Sequence, residues 1–388
     1  MSQSNDRPWQ PFRPTAADLE RIAKDVGEIH DIQQKACANN KDLHFPERVA
    51  HEYQIAGSKV IFKVANELPE PLRGVGLFQP SEQHLGVGRI STGLGIPHAE
   101  TLPDFLGIMV AFQTKDGHRV DFLGINDPTA PADNHRDFMD ILHATGESAG
   151  AEVPFVDQPF IAQQAVFGVS LLRRMGLIKA GGTVAHLTKQ TTPTAHSSTA
   201  IQRFWTGIVE VGGLGGKFTF VPVVEDNHFP GLVPGARHLT EEWKLRQARG
   251  DIDFRVHWIP FLDEEKTPTQ RLTLKWAEGH KQLVGTIGFP QADPDAEQTK
   301  LWAALASEMG ANSGNWIADK ENSVKEPATE FGVARKIAYR KSQEGRNALP
   351  PTLYQSVFRG APIGPELAEE LRKRRQQKAN AGHVNQAP

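Results

Sequence analysis

The sequence contains one cysteine, Cys37, in 388 residues. An intramolecular disulfide and any cysteine-built zinc or iron–sulfur cage are therefore excluded. No run of about 18 apolar residues occurs, so no segment is suited to span a bilayer as a helix. The first nine residues lack a basic stretch followed by an apolar one, so no signal peptide is expected and the cytoplasm is the expected compartment. A dominant charge is missing too: 43 Lys and Arg against 46 Asp and Glu leave −3. That balance gives no electrostatic case for nucleic acid or for an anionic membrane acting on the chain as a whole. His-Glu-x-x-His is absent, which excludes the common zinc-protease signature. Tyrosine is scarce, with only Tyr53, Tyr339 and Tyr354.

What is present is a globular composition, 39% apolar and 23% charged, with 35 Gly and 27 Pro. At about 150 residues per domain the length suggests two to three domains, although a β-barrel exceeds 200 as one unit. A chain of this size buries enough surface to fold without covalent or metal staples. Residues 1–40 read as a proline-containing arm and a helix. Thr15 is its cap, and Leu19, Ile22, Val26, Ile29 and Ile32 form one apolar stripe. Alternating segments follow at 58–66, 84–92, 107–114 and 119–126, the last two joined by the hairpin signal Lys115-Asp116-Gly117. After helices at 137–145 and 158–176, strand patterns return at 204–211, 217–224, 252–262, 271–277 and 283–289. The run Gly212-Gly213-Leu214-Gly215-Gly216 lies between strands, with no helix after it, and is a hairpin loop rather than a phosphate cradle. Helices are expected at 295–310, 331–346 and 365–378, the last charged and leading to an irregular tail.

Two strand groups separated by helices predict an α+β fold: an antiparallel barrel of about eight strands with surrounding helices. Such a barrel commonly holds one buried ligand. The barrel domain would cover 41–362, and 363–388 would be the charged helix and tail. The Arg/Lys cluster of that helix reads as a solvated end rather than a nucleic-acid site.

With no thiolate cluster, chemistry falls to His, Tyr, Arg and carboxylates. His186 and His196 lie in a Thr-rich stretch that reads as an exposed loop, not a metal site. Arg48 and His51 are three residues apart, a spacing equally suited to a surface pair. Arg335 and Tyr339 are four apart on a predicted helix and share a face. A guanidinium beside a phenol favours the phenolate, the form an iron ligand takes. A packed phenol with one hydrogen bond is the alternative.

Taken with their neighbours, these residues resemble the haem catalase superfamily, over about residues 44–346, and most closely its short catalase-like branch. Arg48-Val49-Ala50-His51 resembles Arg-Val-Val-His; Gly88-Arg89-Ile90-Ser91-Thr92 resembles Val-Arg-Phe-Ser-Thr. The run from Asp121 to Asn126 resembles Asp-Leu-Val-Gly-Asn-Asn, and Phe138 to His143 falls on Phe-Pro-Ser-Phe-Ile-His. Arg335…Tyr339…Arg346 is similar to the proximal motif. The resemblance implies haem b with Tyr339 as axial ligand and Arg335 beside it. It also implies His51 as distal acid–base, Ser91 bonded to that histidine, propionate contacts from Arg48, Arg89 and Arg346, and Phe138 and Trp316 as apolar walls. The implied activity is peroxide reduction with an electron donor.

Departures shape the expected substrate. The position of the family's distal Asn falls on Ile125, with Asn126 the candidate to replace it. The family's paired Phe fall on Ala130-Pro131, and Val and Arg become Ala50 and Leu106. These changes imply a wider, less polar pocket, suited to organic hydroperoxides, with weak catalase activity. Three other readings stand: a fatty-acid hydroperoxide isomerase or dehydratase, a non-catalytic haem or lipid carrier, and a haem-free barrel enzyme. The natural peroxide, the donor and any homo-oligomer are left open by the sequence.

Overall fold

The computed structural model describes residues 9–39, 48, 50–70, 72–93, 99–151, 159–191, 199–224, 237–315 and 328–380. The single N-terminal helix expected from Thr15 is two helices, α1 (Ala16–Asp25) and α2 (Ile29–Asn39). Thr15 caps α1 as anticipated: its hydroxyl accepts from the Asp18 amide at 3.1 Å, and the Asp18 carboxylate accepts from the Thr15 amide at 3.0 Å. Ile22, Val26, Ile29 and Ile32 are buried, whereas Leu19 stays exposed. The break falls at Gly27, the residue type least able to hold a helix interior apart from proline.

Among the described residues nine strands follow: β1 (Gln54–Val64), β2 (Gln83–Thr92), β3 (Leu106–Gln113), β4 (Arg119–Ile125), β5 (Phe204–Thr206), β6 (Val209–Val211), β7 (Leu214–Pro222), β8 (Ile252–Pro260) and β9 (Gln282–Phe289). They pair antiparallel in the order β5-β4-β3-β2-β1-β9-β8-β7-β6. Pairing of β5 with β7, Phe204 opposite Phe220, closes eight strands into a barrel and leaves β6 as a short flap on β7. The β3–β4 hairpin turns at Gly117, whose φ of +88° suits glycine. Helices α3 (His135–Ser148), α4 (Pro159–Met175) and α5 (Leu177–Thr191) lie between β4 and β5, and α6 (His238–Arg249) lies between β7 and β8. After β9 come α7 (Glu297–Glu308), α8 (Glu330–Gly345), α9 (Pro351–Tyr354) and α10 (Pro365–Asn380).

Several expectations are corrected. The 204–211 segment is two short strands, parted at Gly207-Ile208. Residues 271–277 form no strand, because their polar groups find partners elsewhere: Thr273 N–H donates to Asp133 at 2.7 Å and Trp276 Nε1 to the Pro268 carbonyl at 2.8 Å. His186 is on α5, not in a loop, with a ring nitrogen 2.9 Å from the Ala130 carbonyl; His196 lies outside the described residues.

The barrel interior is filled rather than hollow. Phe62, Phe112, Phe122, Phe218, Phe220, Phe254 and Phe289 are fully buried and meet largely edge to face, for example Phe122 on Phe218 at 5.2 Å. Because strand side chains alternate, the intervening residues of β2, β3 and β4 face outward: Arg89 and Ser91, Gly107 and Met109, Asp121, Leu123 and Ile125. Helices cover that outer face. The ligand cavity therefore lies against the barrel wall, not in its lumen.

One buried carboxylate ties the covering layer to the barrel. Asp121 on β4 accepts from the Asn312 amide at 2.8 Å and from Asn315 Nδ2 at 2.9 Å, and pairs with Arg119. Asn312 Nδ2 in turn donates to the Lys336 carbonyl of α8 at 2.9 Å, and Gln343 Nε2 of α8 donates to the Ala311 carbonyl at 2.6 Å. Residues 309–315 thus form a strap between β4 and α8. Burial pushes the Asp121 carboxyl up, while Arg119 and the two asparagines pull it down. Asp121→Ala strands these donors together with the Arg119 charge, and is expected to cost about 3 kcal/mol in chemical denaturation.

Candidate active site

Between the outer face of β2–β4 and helices α3 and α8 lies a cavity of ≈ 530 Å³, within the usual range for a cofactor or small-molecule site. Arg48, His51, Arg89, Ser91, Phe138, Arg335, Tyr339 and Arg346 all contribute to its wall. Residues separated by nearly 300 positions in sequence are therefore brought to one place.

His51 precedes β1 with its backbone in the left-handed region, φ +59°, a conformation that strains a side-chain-bearing residue. Its amide donates to the Gly93 carbonyl at 2.8 Å. Its Nδ1 lies 3.1 Å from the Thr92 carbonyl and 3.4 Å from Ser91 Oγ. A carbonyl can only accept, so Nδ1 carries the proton and Nε2 is left as a base. Gly107 makes room for the ring: a Cβ there would stand 2.3 Å from Nδ1. Burial, followed by the positive charges of Arg89, Arg335 and Arg48, lowers the His51 pKa to about 3, against the opposing pull of the Thr92 carbonyl.

Helix α8 starts at Thr329, whose hydroxyl accepts from the Gly332 amide at 3.0 Å. Arg335 and Tyr339, one turn apart, share the cavity face. Arg335 Nη2 donates to Tyr339 Oη at 3.0 Å, with the guanidinium 5.5 Å from the ring centroid. Arg346, at the end of α8, donates to the Met309 carbonyl at 2.9 Å. Arg89 donates to the Glu52 carbonyl at 2.8 Å and Arg48 to the Ser307 carbonyl at 2.6 Å. Two buried cavity-wall atoms, Arg48 Nη1 and Ser313 Oγ, have no hydrogen-bond partner among the described residues. Phe138 on α3 packs edge to face on Phe331 of α8 at 5.3 Å.

The expected residues do not all arrive. Asn126 is not part of the cavity wall; Ile125 is. The Asn126 carboxamide is occupied: Oδ1 accepts from the Leu106 amide at 2.7 Å and Nδ2 donates to Gln202 at 3.3 Å. Strand alternation puts Ile125 on the same face as Asp121 and Leu123, and the next residue turns away. Trp316 lies outside the described residues. Ala50, Ala130 and Pro131 all line the cavity.

Two wall residues were missed by sequence reasoning. Asp121 is one. Lys217 on β7 is the other: it is 5% exposed, its Nζ lies 4.8 Å over the Trp276 ring and 3.4 Å from the Pro128 carbonyl, and burial lowers its pKa to about 8 against the pull of Asp127 and Glu278. In a strand pattern both alternate with core aromatics and so read as solvent-facing.

No protein-family model matches this sequence, and no curated protein does. Solved structures do match. A fungal catalase aligns over 94% of this chain and 69% of its own, at 15% identity and a TM-score of 0.60. A bacterial catalase aligns over 93% and 67%, at 17% identity and 0.56. Catalase A from Saccharomyces cerevisiae aligns over 93% and 71%, at 14% identity and 0.58. The fold is that of the catalases. On the catalase fold, this chain places its cavity between barrel wall and helices, with a neutral histidine, a phenol–guanidinium pair and three further arginines around it.

The lowered His51 pKa has a direct consequence. In protein with no cofactor added, imidazole NMR is expected to show this ring neutral across about pH 5.5–7.5, where exposed histidines titrate, with protonation only toward about 3. The unfolded chain takes up a proton at about 6.5 that the folded chain refuses, so His51 lowers stability progressively as pH falls from about 6.5 toward 3.

Proposed function

We propose that this protein is a haem-dependent peroxidase of catalase-like architecture, in which the cavity would take haem b and Tyr339 would hold its iron. The observation that carries this reading is the convergence of Tyr339, bonded by Arg335, with a neutral His51 and the buried arginines on one cavity. The residues fit the cofactor. A macrocycle needs apolar walls, which Phe138, Leu142, Phe331 and Ala338 supply, and its carboxylates need paired cations away from water. Arg48 Nη1, buried and without a partner among the described residues, is a donor of that kind. Arg89 and Arg346 are the other two; guanidinium is the group best matched to carboxylate.

Haem bound here supplies the redox equivalents by which a peroxide is cleaved and an external donor oxidised. The protein supplies position and protons. His51 Nε2 accepts the proton of the entering hydroperoxide and hands it to the departing oxygen, base and then acid. Its low proton affinity keeps the base form available throughout the physiological range. The Thr92 carbonyl fixes the tautomer and Ser91 stands beside it. Arg335 holds a hydrogen bond on the Tyr339 oxygen.

Walls made by Ala50, Ile125, Ala130 and Pro131 favour organic hydroperoxides over hydrogen peroxide. Disproportionation orients a second small peroxide by hydrogen bonds; Ile125 offers none, a loss of about one to two decades in rate. An isomerase acting on fatty-acid hydroperoxides is separated from this reading by turnover without added donor.

Purified protein loaded with haem is expected to give a tyrosinate-type ferric absorption spectrum, lost in Tyr339→Phe; failure of the wild type to take up haem overturns the assignment. His51→Ala is expected to lower peroxide turnover by roughly two to four decades while haem is retained. On one preparation, donor oxidation with an organic hydroperoxide is expected to outpace oxygen evolution from hydrogen peroxide. Oxygen evolution near the diffusional ceiling of about 10⁷–10⁸ per molar per second contradicts the role given to Ile125.

A further inference from the structure

Helices α4 and α5 form a hairpin that turns at Gly176, φ +76°. Of the twelve exposed large apolar side chains among the described residues, six lie between Pro159 and Thr191: Ile161, Val169, Leu172, Leu177, Ile178 and Val184. Ile161, Val169 and Leu172 recur at near-helical spacing and share one face of α4. Leu177 and Ile178, at the turn, are 75% and 92% exposed. A concentration of this kind on a soluble surface marks an interaction site.

Charge indicates which kind. The segment 159–191 contains Arg173, Arg174, Lys179 and Lys189 and no acidic residue, in a chain of net charge −3. Arg174 and Lys179 pair with Glu147, Asp140 and Asp137 on α3. Arg173 and Lys189 are exposed and form no ion pair among the described residues. An apolar tip with a basic rim is the pattern of an interfacial lipid anchor. A second copy is disfavoured, because a two-fold contact opposes each patch to itself and brings like charges together. The hairpin also reaches the cavity: Gln164, Phe167, Val184 and Leu187 line it. Val184 belongs to both surfaces.

We propose that the α4–α5 hairpin docks this protein on anionic lipid surfaces, with Leu177 and Ile178 entering the headgroup–acyl boundary and Arg173 and Lys189 meeting the phosphates. The docked hairpin presents the cavity to the bilayer. Entry of a membrane-borne lipid hydroperoxide by this route rests on the peroxidase reading above; the docking does not.

The test is sedimentation of the full-length protein with vesicles of phosphatidylcholine alone or mixed with phosphatidylglycerol, without peroxide or donor. Binding to the mixed vesicles, weakened by salt, is expected. Arg173→Gln and Lys189→Gln should each weaken partition about fivefold, and Leu177→Ser with Ile178→Ser by roughly tenfold or more. Those side chains are exposed, so thermal melting should be unchanged. Wild-type protein that stays in the supernatant with both vesicles overturns the proposal, as does undiminished binding by the Leu177/Ile178 variant. A dimer in light scattering that the same variant dissolves, and that vesicles do not displace, assigns the face to subunit contact and overturns it too. Because no peroxide enters the assay, failure of docking and failure of the peroxidase reading are separate results.

Discussion

The buried carboxylate of Asp121 is the constraint on which the site depends. It sits on the outer wall of the barrel, away from water, and holds two asparagines and an arginine at once. Through Asn312 it fixes the strap 309–315, and the strap holds α8 by the Lys336 carbonyl and by Gln343. Tyr339 lies between those two anchor points on α8, and Arg335 directly precedes the first. Where the phenol stands relative to the barrel is thus decided by hydrogen bonds to a residue more than 200 positions earlier. An apolar contact would permit sliding; a satisfied buried network permits one arrangement.

The packed interior sets the rest. Because phenylalanines fill the barrel, a ligand has to be taken on the outer face, where the strands show the other half of their alternating pattern. Arginines belong on that face for the same reason: a guanidinium cannot enter the aromatic core without a partner, but on the wall it meets carbonyls at the ends of neighbouring segments, as Arg48, Arg89 and Arg346 do. Burial first, and then the positive charges of Arg89, Arg335 and Arg48, explain the reluctance of His51 to take a proton.

Local signals were legible in the sequence where a short-range rule applies. The hairpin 107–126 follows from alternation and Gly117; the shared face of Arg335 and Tyr339 follows from helical spacing; the parity of Ile125 with Asp121 follows from a period of two. What failed depended on distant partners. The fate of Asn126 is set by Leu106 and Gln202, neither of which alternation can identify. Lys217 resembles a solvent-facing strand residue, and only the non-strand segment around Trp276 buries it. Helix α5 contains Gly181-Gly182 and several threonines, a composition that suppresses helix propensity, so its length comes from the fold and not from its residues. The alternating segment 271–277 deceived in the opposite sense, since Leu272 and Trp276 are buried by an irregular loop.

The left-handed backbone at His51 restricts what evolution can do there. Of the side-chain-bearing residues, asparagine, aspartate and histidine tolerate that conformation best, and β-branched residues tolerate it worst. A lineage abandoning the proton transfer proposed for this position would therefore drift toward glycine, asparagine or aspartate before valine or isoleucine. Gly107, whose missing side chain is the space the imidazole occupies, would then be released to acquire one. Paired change at positions 51 and 107 is the trace that replacement of this imidazole would leave in descendants of this chain.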